Sequence, residues 1–317
     1  MLVLVAPGQG AQKPGFLSPW LELPGVEDRL RAWSDAIDLD LIHYGTDADE
    51  EQIRDTAVAQ PLLVAAGLVS AQALFGDGLA GGFDVVAGHS VGELTAAAAS
   101  GALTPEAALE LVRRRGLAMA EAAAVTETGM AALLGGEQED VLPHLEKLGL
   151  TPANVNGAGQ IVAAGTAEQL AALAEDKPEG TRRVVPLKVA GAFHTHHMAP
   201  AVSALEAAAK GVEVAAPRVP FVSNRDGEVV RDGDDLVRRL VNQVSSPVRW
   251  DLCMERFEAL GVTALLELVP GGTLTGIAKR ALPDVARLAL KTPDDLDAAR
   301  ALVAEHAVTP AAVSPAE

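Results

Sequence analysis

The run Phe83-Asp-Val-Val-Ala87 passes without a break into Gly88-His-Ser-Val-Gly92 and then into Glu93-Leu-Thr-Ala-Ala-Ala-Ala-Ser100. A short, nearly continuous apolar run reads as a strand buried on both faces, and such strands belong to parallel sheets covered by helices. The small-residue segment after it reads as a helix, and the two glycines allow only a sharp strand-to-helix turn between them. These eighteen or so residues already restrict the chain to an α/β architecture. The composition agrees: 49% of the residues are apolar but only 3% aromatic, so the core must be built from Ala, Val and Leu in close packing. A length of 317 residues suits one large domain, or a large domain carrying an insert.

Residues 1–121 open with an apolar strand, Met1–Val5, which lacks a basic leader and reads as a buried first strand rather than a signal peptide. Thr104-Pro-Glu106 starts a helix, with a capping Thr and Pro at the first helical position, that runs to about Ala124. Residues 122–190 change character and read as strand (Met130–Leu134), helix (Glu137–Leu148), strand (Pro152–Asn156), strand (Gln160–Ala164), helix (Ala167–Glu175) and strand (Arg182–Val189). That βαββαβ order is ferredoxin-like, with Asn156-Gly-Ala-Gly159 as the hairpin between its second and third strands. The larger α/β unit resumes over 191–307, with a helix after His194 and strands near Pro220–Ser223 and Ala264–Val269. Residues 308–317 lack apolar periodicity and are expected to be a disordered tail. The longest apolar run, Leu62–Phe75, is interrupted by Ser70 and Gln72 and reads as too short to span a bilayer. A single cysteine, Cys253, excludes an internal disulfide and fits a reducing cytoplasm. A net charge of −18 argues against a general nucleic-acid binder, and any acidic protein partner would need a local basic patch. Arg182, Arg183, Lys188, Lys279 and Arg280 are the candidates.

Gly88-His-Ser-Val-Gly92 is a G-x-S-x-G pentapeptide in the strand–turn–helix setting that a nucleophilic serine requires. Ser90 would sit at a helix N-terminus, where free N–H groups and the helix dipole favour developing negative charge. The serine needs a base. His89 is directed away by the turn, while His43, His144 and His306 lie in polar surroundings and read as surface residues. The cluster Phe193-His-Thr-His-His197 lies in a loop between strand and helix, and pattern alone does not choose among His194, His196 and His197. No Cys or acidic ligand at a regular spacing accompanies that cluster, so no metal is expected. Arg115 shares one helical stripe with Ala108, Val112 and Met119, whereas Arg113 and Arg114 fall on other faces. An arginine in an apolar stripe is costly unless it meets an anion, and a guanidinium fork matches a substrate carboxylate.

Together with Pro7-Gly-Gln-Gly10, Gln60-Pro61, Arg115-Gly116, Asn154-Val-Asn156, Gly191-Ala-Phe-His194, Asn224, Gln243, Pro247-Val-Arg-Trp250 and Pro270-Gly-Gly-x-Leu274, the elbow block Gly88-His-Ser-Val-Gly-Glu93 resembles the malonyl-CoA:acyl carrier protein transacylases and the acyltransferase domains of polyketide synthases. The likeness covers nearly the whole chain and is strongest to stand-alone actinobacterial enzymes. It implies a hydrolase-like α/β fold with a parallel-sheet core and an inserted ferredoxin-like subdomain. The implied activity is transfer of malonyl from malonyl-CoA to the phosphopantetheine thiol of acyl carrier protein, by a ping-pong route through a malonyl-serine ester. By the same resemblance Ser90 is the nucleophile, His194 the base and Arg115 the carboxylate partner. Backbone N–H groups of Gln9 and Val91 form the oxyanion hole, the Gln243 carbonyl orients the histidine, and Gln60, Met119 and Phe193 line the acyl pocket. Ala-Phe-His resembles the malonyl-type motif. The resemblance further implies no metal or redox cofactor, a monomer, and neither nucleic acid nor membrane as partner. The alternative is a serine thioesterase or esterase, which would use the chain order Ser, Asp or Glu, then His. Pro270-Gly-Gly272 departs from the commoner Gly-Pro-Gly, a difference local to that loop.

Overall fold

The computed structural model describes residues 1–79 and 81–308. Its strands in chain order are β1 (Leu2–Ala6), β2 (Val85–Gly88), β3 (Thr128–Gly135), β4 (Thr151–Gly157), β5 (Gln160–Thr166), β6 (Thr181–Pro186), β7 (Phe221–Val222), β8 (Val229–Val230), β9 (Val248–Arg249), β10 (Ala264–Glu267) and β11 (Ala286–Ala289). Six form one sheet in the order β11-β10-β1-β2-β7-β8, parallel except for the β7–β8 pair at its edge. Strands β1 and β2 sit at its centre with every residue buried, which is why both read as unbroken apolar runs rather than alternating ones.

The second sheet has the order β6-β3-β5-β4-β9. Strands β3 to β6 pair antiparallel throughout, and Gly157, Ala158 and Gly159, all in the left-handed region, close the β4–β5 hairpin. This is the ferredoxin-like order. Alternation along β5 divides its side chains: Ile161 and Ala163 join the cluster under the two helices, Gln138–Lys147 and Ala167–Glu175, while Val162 and Ala164 join the main core. Strand β9, drawn from the larger unit, adds parallel to β4 and ties the two sheets together.

Three expectations change. The last strand of the smaller sheet ends at Pro186, not Val189, because proline offers no N–H to extend the ladder. Leu187 donates instead to the Met130 carbonyl, and Val189 turns back onto the Leu187 carbonyl. The apolar helix begins at Thr56, six residues before the run from Leu62, and at 20 residues it is long and apolar enough to cross a membrane by length and composition. It lies in the interior, with 83% of its most apolar window buried. Pro61 does not break it: the missing donor frees the Ala57 carbonyl, which accepts from Arg113 Nη1 at 2.9 Å. His144 and His306 are half-buried rather than surface residues, held by the Asp176 carbonyl and by Thr263 Oγ1. The expected tail falls on residues outside the described part, apart from Val308, whose N–H bonds Asp84.

Candidate active site

Gly88 and Gly92 permit the turn that carries Ser90. A Cβ on Gly88 would lie 2.0 Å from the Gly92 carbonyl carbon, and one on Gly92 would lie 2.2 Å from the Ala6 carbonyl oxygen, so strand end and helix start interlock only as glycines. Ser90 itself takes φ of 53°, a left-handed conformation costly for a residue with a Cβ, and its hydroxyl is thereby lifted out of the sheet edge. His194 is held likewise at φ 62°. The two strained residues meet: Ser90 Oγ lies 2.7 Å from His194 Nε2.

His194 Nδ1 donates to the Gln243 carbonyl at 2.8 Å, which leaves Nε2 as the unprotonated acceptor facing the serine. Burial and the nearby Arg115 cation drive the imidazole pKa down to about 3, so the ring is neutral at physiological pH. The rest of the histidine cluster is elsewhere engaged. His196 is exposed and packs against His197, with ring centroids 4.1 Å apart. His89 is buried, bonded to Asn156 Oδ1 at 2.8 Å and set edge-on to Trp250.

The Ser90 amide donates to Asn224 Oδ1 at 2.8 Å and is thereby occupied. The amides of Gln9 and Val91 carry no hydrogen bond among the described residues and are free for a ligand. Both residues line a cavity of about 70 Å³ together with Ser90, His194, Gln60, Met119 and Phe193, bounded by Met130 and Asn154 of the smaller sheet and by Leu187 and Val189 just after its last strand.

Arg115 does face inward on its helix, Pro105–Ala123, and is 2% exposed, but it does not line that cavity. Its Nη1 donates to Gln60 Oε1 at 2.6 Å and its Nη2 to Gln243 Oε1 at 2.8 Å. Both prongs of the fork are held by neutral amide oxygens. Gln60, whose Nε2 reaches only the Met119 sulfur at 3.5 Å, stands between the guanidinium and the cavity. Burial lowers the Arg115 pKa to about 10, partly countered by Glu93, and the group stays charged at pH 7.

Sequence reasoning left three members of this network without a role. Glu93, the second residue of the helix after the elbow, is 1% exposed; Oε1 accepts from the Asn224 backbone N–H at 2.6 Å and Oε2 from Gln243 Nε2. Asn224 Nδ2 donates to the Gly88 carbonyl at 2.7 Å. The Gln243 side chain, expected to matter only through its backbone, also donates to the Ser90 carbonyl at 3.0 Å. An acidic residue in the first turn of a helix is unremarkable in sequence. Its burial against Asn224 and Gln243 was the missing signal, and those partners lie well over a hundred residues away.

A serine on a strand-to-helix elbow, a neutral histidine in hydrogen-bond contact, free amides beside it and a buried cation behind define an enzyme of the acyl-transferring class. Residues 3–307 match the family described as an acyl transferase domain. The chain belongs to the malonyl CoA-acyl carrier protein transacylase family within that class. It is 52% identical over 298 residues to the Mycobacterium tuberculosis protein of that name, covering 94% of this chain and 98% of the relative. The crystal structure of the transacylase from Mycobacterium tuberculosis superposes with a TM-score of 0.91 at 51% identity, over 95% of this chain and 99% of the other. A type II polyketide synthase acyl-carrier protein in complex with its malonyl-transacylase provides a further neighbour, with a TM-score of 0.87 at 30% identity over 95% of this chain and 99% of that one.

Proposed function

We propose that the chain moves malonyl from malonyl-CoA to the phosphopantetheine thiol of acyl carrier protein through an ester on Ser90. The observation that carries this reading is the 2.7 Å contact between Ser90 Oγ and a neutral His194, with a buried Arg115 one glutamine side chain from the cavity. His194 Nε2 takes the hydroxyl proton as Ser90 Oγ attacks the thioester carbonyl. The amides of Gln9 and Val91 meet the oxyanion. The C–S bond then breaks, and the departing coenzyme A thiolate takes the proton from the imidazolium. In the second half-reaction the carrier thiol gives its proton to His194 and attacks the ester, and Ser90 recovers its proton on leaving. The Gln243 carbonyl holds the ring throughout, and no step calls on a metal or redox cofactor.

Arg115 takes the malonyl carboxylate. A carboxylate is a stronger acceptor for guanidinium than an amide oxygen, so it displaces Gln60 Oε1, whose other end is only weakly held. Phe193, buried and lining the cavity with Met119, crowds the α-carbon against a methyl branch. The esterase alternative fits less well: the Nδ1 partner of His194 is a backbone carbonyl where a hydrolase triad has a carboxylate, and a buried arginine has no role in it. The carrier protein docks near the cavity mouth, where exposed Lys188 sits between the lining residues Leu187 and Val189; Arg182 and Arg183 are exposed on the adjoining strand. We read the enzyme as a cytoplasmic monomer serving fatty acid or polyketide synthesis. Intact mass after mixing with malonyl-CoA tests the reading. A gain of one malonyl group, mapped to Ser90 and discharged by holo-carrier protein, is expected; rapid loss to water without a thiol acceptor would favour the esterase.

A further inference from the structure

Arg115 has only donors, so the Gln243 amide can meet it only through its oxygen. The amide nitrogen must then point the other way, and something has to accept from it there. It finds Glu93 Oε2 and, at 3.0 Å, the Ser90 carbonyl, with Asn224 Oδ1 more distant at 3.4 Å. The remaining Glu93 oxygen is anchored by the backbone N–H of Asn224 at 2.6 Å. Both partners of Glu93 are donors, so the acceptor-only carboxylate is the one form of this side chain that satisfies both. Glu93 and Gln243 also line a second cavity, of about 240 Å³, which shares no residue with the one around Ser90. The pair thus stands at the back of the catalytic centre, out of reach of the acyl group. Burying a carboxylate there is costly: desolvation pushes its pKa up to about 8 against the pull of both donors and of Arg115, so the acceptor-only form prevails above that pH, and the pair is assayed there.

We infer that Glu93 is a positioning residue for acyl selectivity: by holding the Gln243 amide in one of its two orientations, it keeps an oxygen on Arg115 and the guanidinium poised for the malonyl carboxylate. The inference rests on the role given to Arg115 above. Without the carboxylate, a flipped Gln243 amide would place its NH₂ against the guanidinium, donor against donor. The loss would fall on the substrate that needs Arg115, while the Ser90–His194 chemistry, which runs through the Gln243 backbone, would be shared by any acyl group.

The test is Glu93→Gln, which keeps the shape and gives the side chain one donor and one acceptor where two acceptors are needed. The readout is the ratio of kcat/KM for malonyl-CoA to that for acetyl-CoA, both with holo-carrier protein as acceptor. Glu93→Gln should lower this ratio roughly 10- to 100-fold, the scale of coupling inside one hydrogen-bond network. Added to Arg115→Ala it should change the ratio no further. Glu93→Asp keeps two acceptor oxygens, one methylene short, and should lose less of the ratio than Glu93→Gln. Should Glu93→Gln fail to fold, Glu93→Asp must show a ratio below that of the unaltered enzyme and above that of Arg115→Ala. An unchanged ratio in Glu93→Gln while Arg115→Ala collapses it would overturn the inference and leave the Arg115 reading standing. Equal losses for both thioesters, or a Glu93→Asp ratio no higher than that of Glu93→Gln, would also overturn it. A ratio unmoved by Arg115→Ala would sink both.

Discussion

At the nucleophile end of the site, Ser90, His194 and the Gln243 carbonyl are already in hydrogen-bond register, whereas at the carboxylate end Arg115 is occupied by two glutamine oxygens and lies outside the cavity. The first end carries backbone strain at both residues and a histidine kept neutral by burial. The second carries a cation resting on two neutral amides, which the proposed reading has it exchange for the substrate carboxylate. On that reading, chemistry common to every acyl group is built rigidly, and recognition of one acyl group is built as an exchange of partners. A guanidinium left free in a dry pocket would cost far more than one resting on amides.

Ser90→Ala probes the rigid end most severely: the malonyl adduct should vanish by intact mass with the thermal transition retained, and an adduct at another residue would move the nucleophile elsewhere. His194→Ala should slow acylation in single-turnover assays by ~10²- to 10⁴-fold, the range for a general base. Damage from His196→Ala or His197→Ala in its place would contradict the geometry of the loop.

Arg115→Ala addresses the exchanging end and should separate the two substrates. Malonyl kcat/KM should fall by ~2–5 kcal/mol, the scale for truncating a buried charge pair. Acetyl transfer should nearly hold, because acetyl offers no carboxylate and leaves Arg115 on its two glutamine oxygens. Arg115→Lys should rescue little, since an ammonium cannot span both acceptors. Equal losses for both thioesters would make Arg115 a structural residue and erase the contrast between the two ends. Phe193→Ser should shift the methylmalonyl-to-malonyl ratio upward by only ~1–3 kcal/mol, because one methyl group in a pocket is worth no more.

Acidification should leave the rigid end nearly untouched. An ordinary histidine with a pKa of about 6.5 would be largely protonated by about pH 5. His194 is lowered to about 3, so malonyl loading should stay nearly flat across that interval. Stability behaves differently. The unfolded chain takes up a proton at this histidine that the folded one refuses, so this residue's contribution turns against folding as pH falls below about 6.5. Thermal unfolding and initial rates measured over the same pH series separate the two effects.

The elbow, the helix from Thr104 and the βαββαβ order were legible because each rests on neighbours in the chain: a glycine spacing, a capping Thr–Pro pair, a period of two giving way to one of 3.6. Arg115 was legible as an inward arginine for the same reason. What met it was not. Gln60 and Gln243 come from helices far apart in sequence, and a lone glutamine carries no pattern that announces which side chain it will face. The strand end at Pro186 was misplaced because Val-Val-Pro-Leu-Lys-Val keeps an apolar rhythm through a residue that cannot donate to the ladder. Glu93 stood in the matching elbow block without a role, because its sequence position suits an ordinary solvent-facing helix start.

The left-handed backbone at Ser90 sets activity and robustness against each other under selection. Glycine at that position would relieve strain on the order of 1 kcal/mol and delete the proposed nucleophile in the same step. A library of variants screened for heat resistance alone would therefore tend to accumulate inert proteins at codon 90. Any effort to harden this enzyme by directed evolution must score turnover in every round.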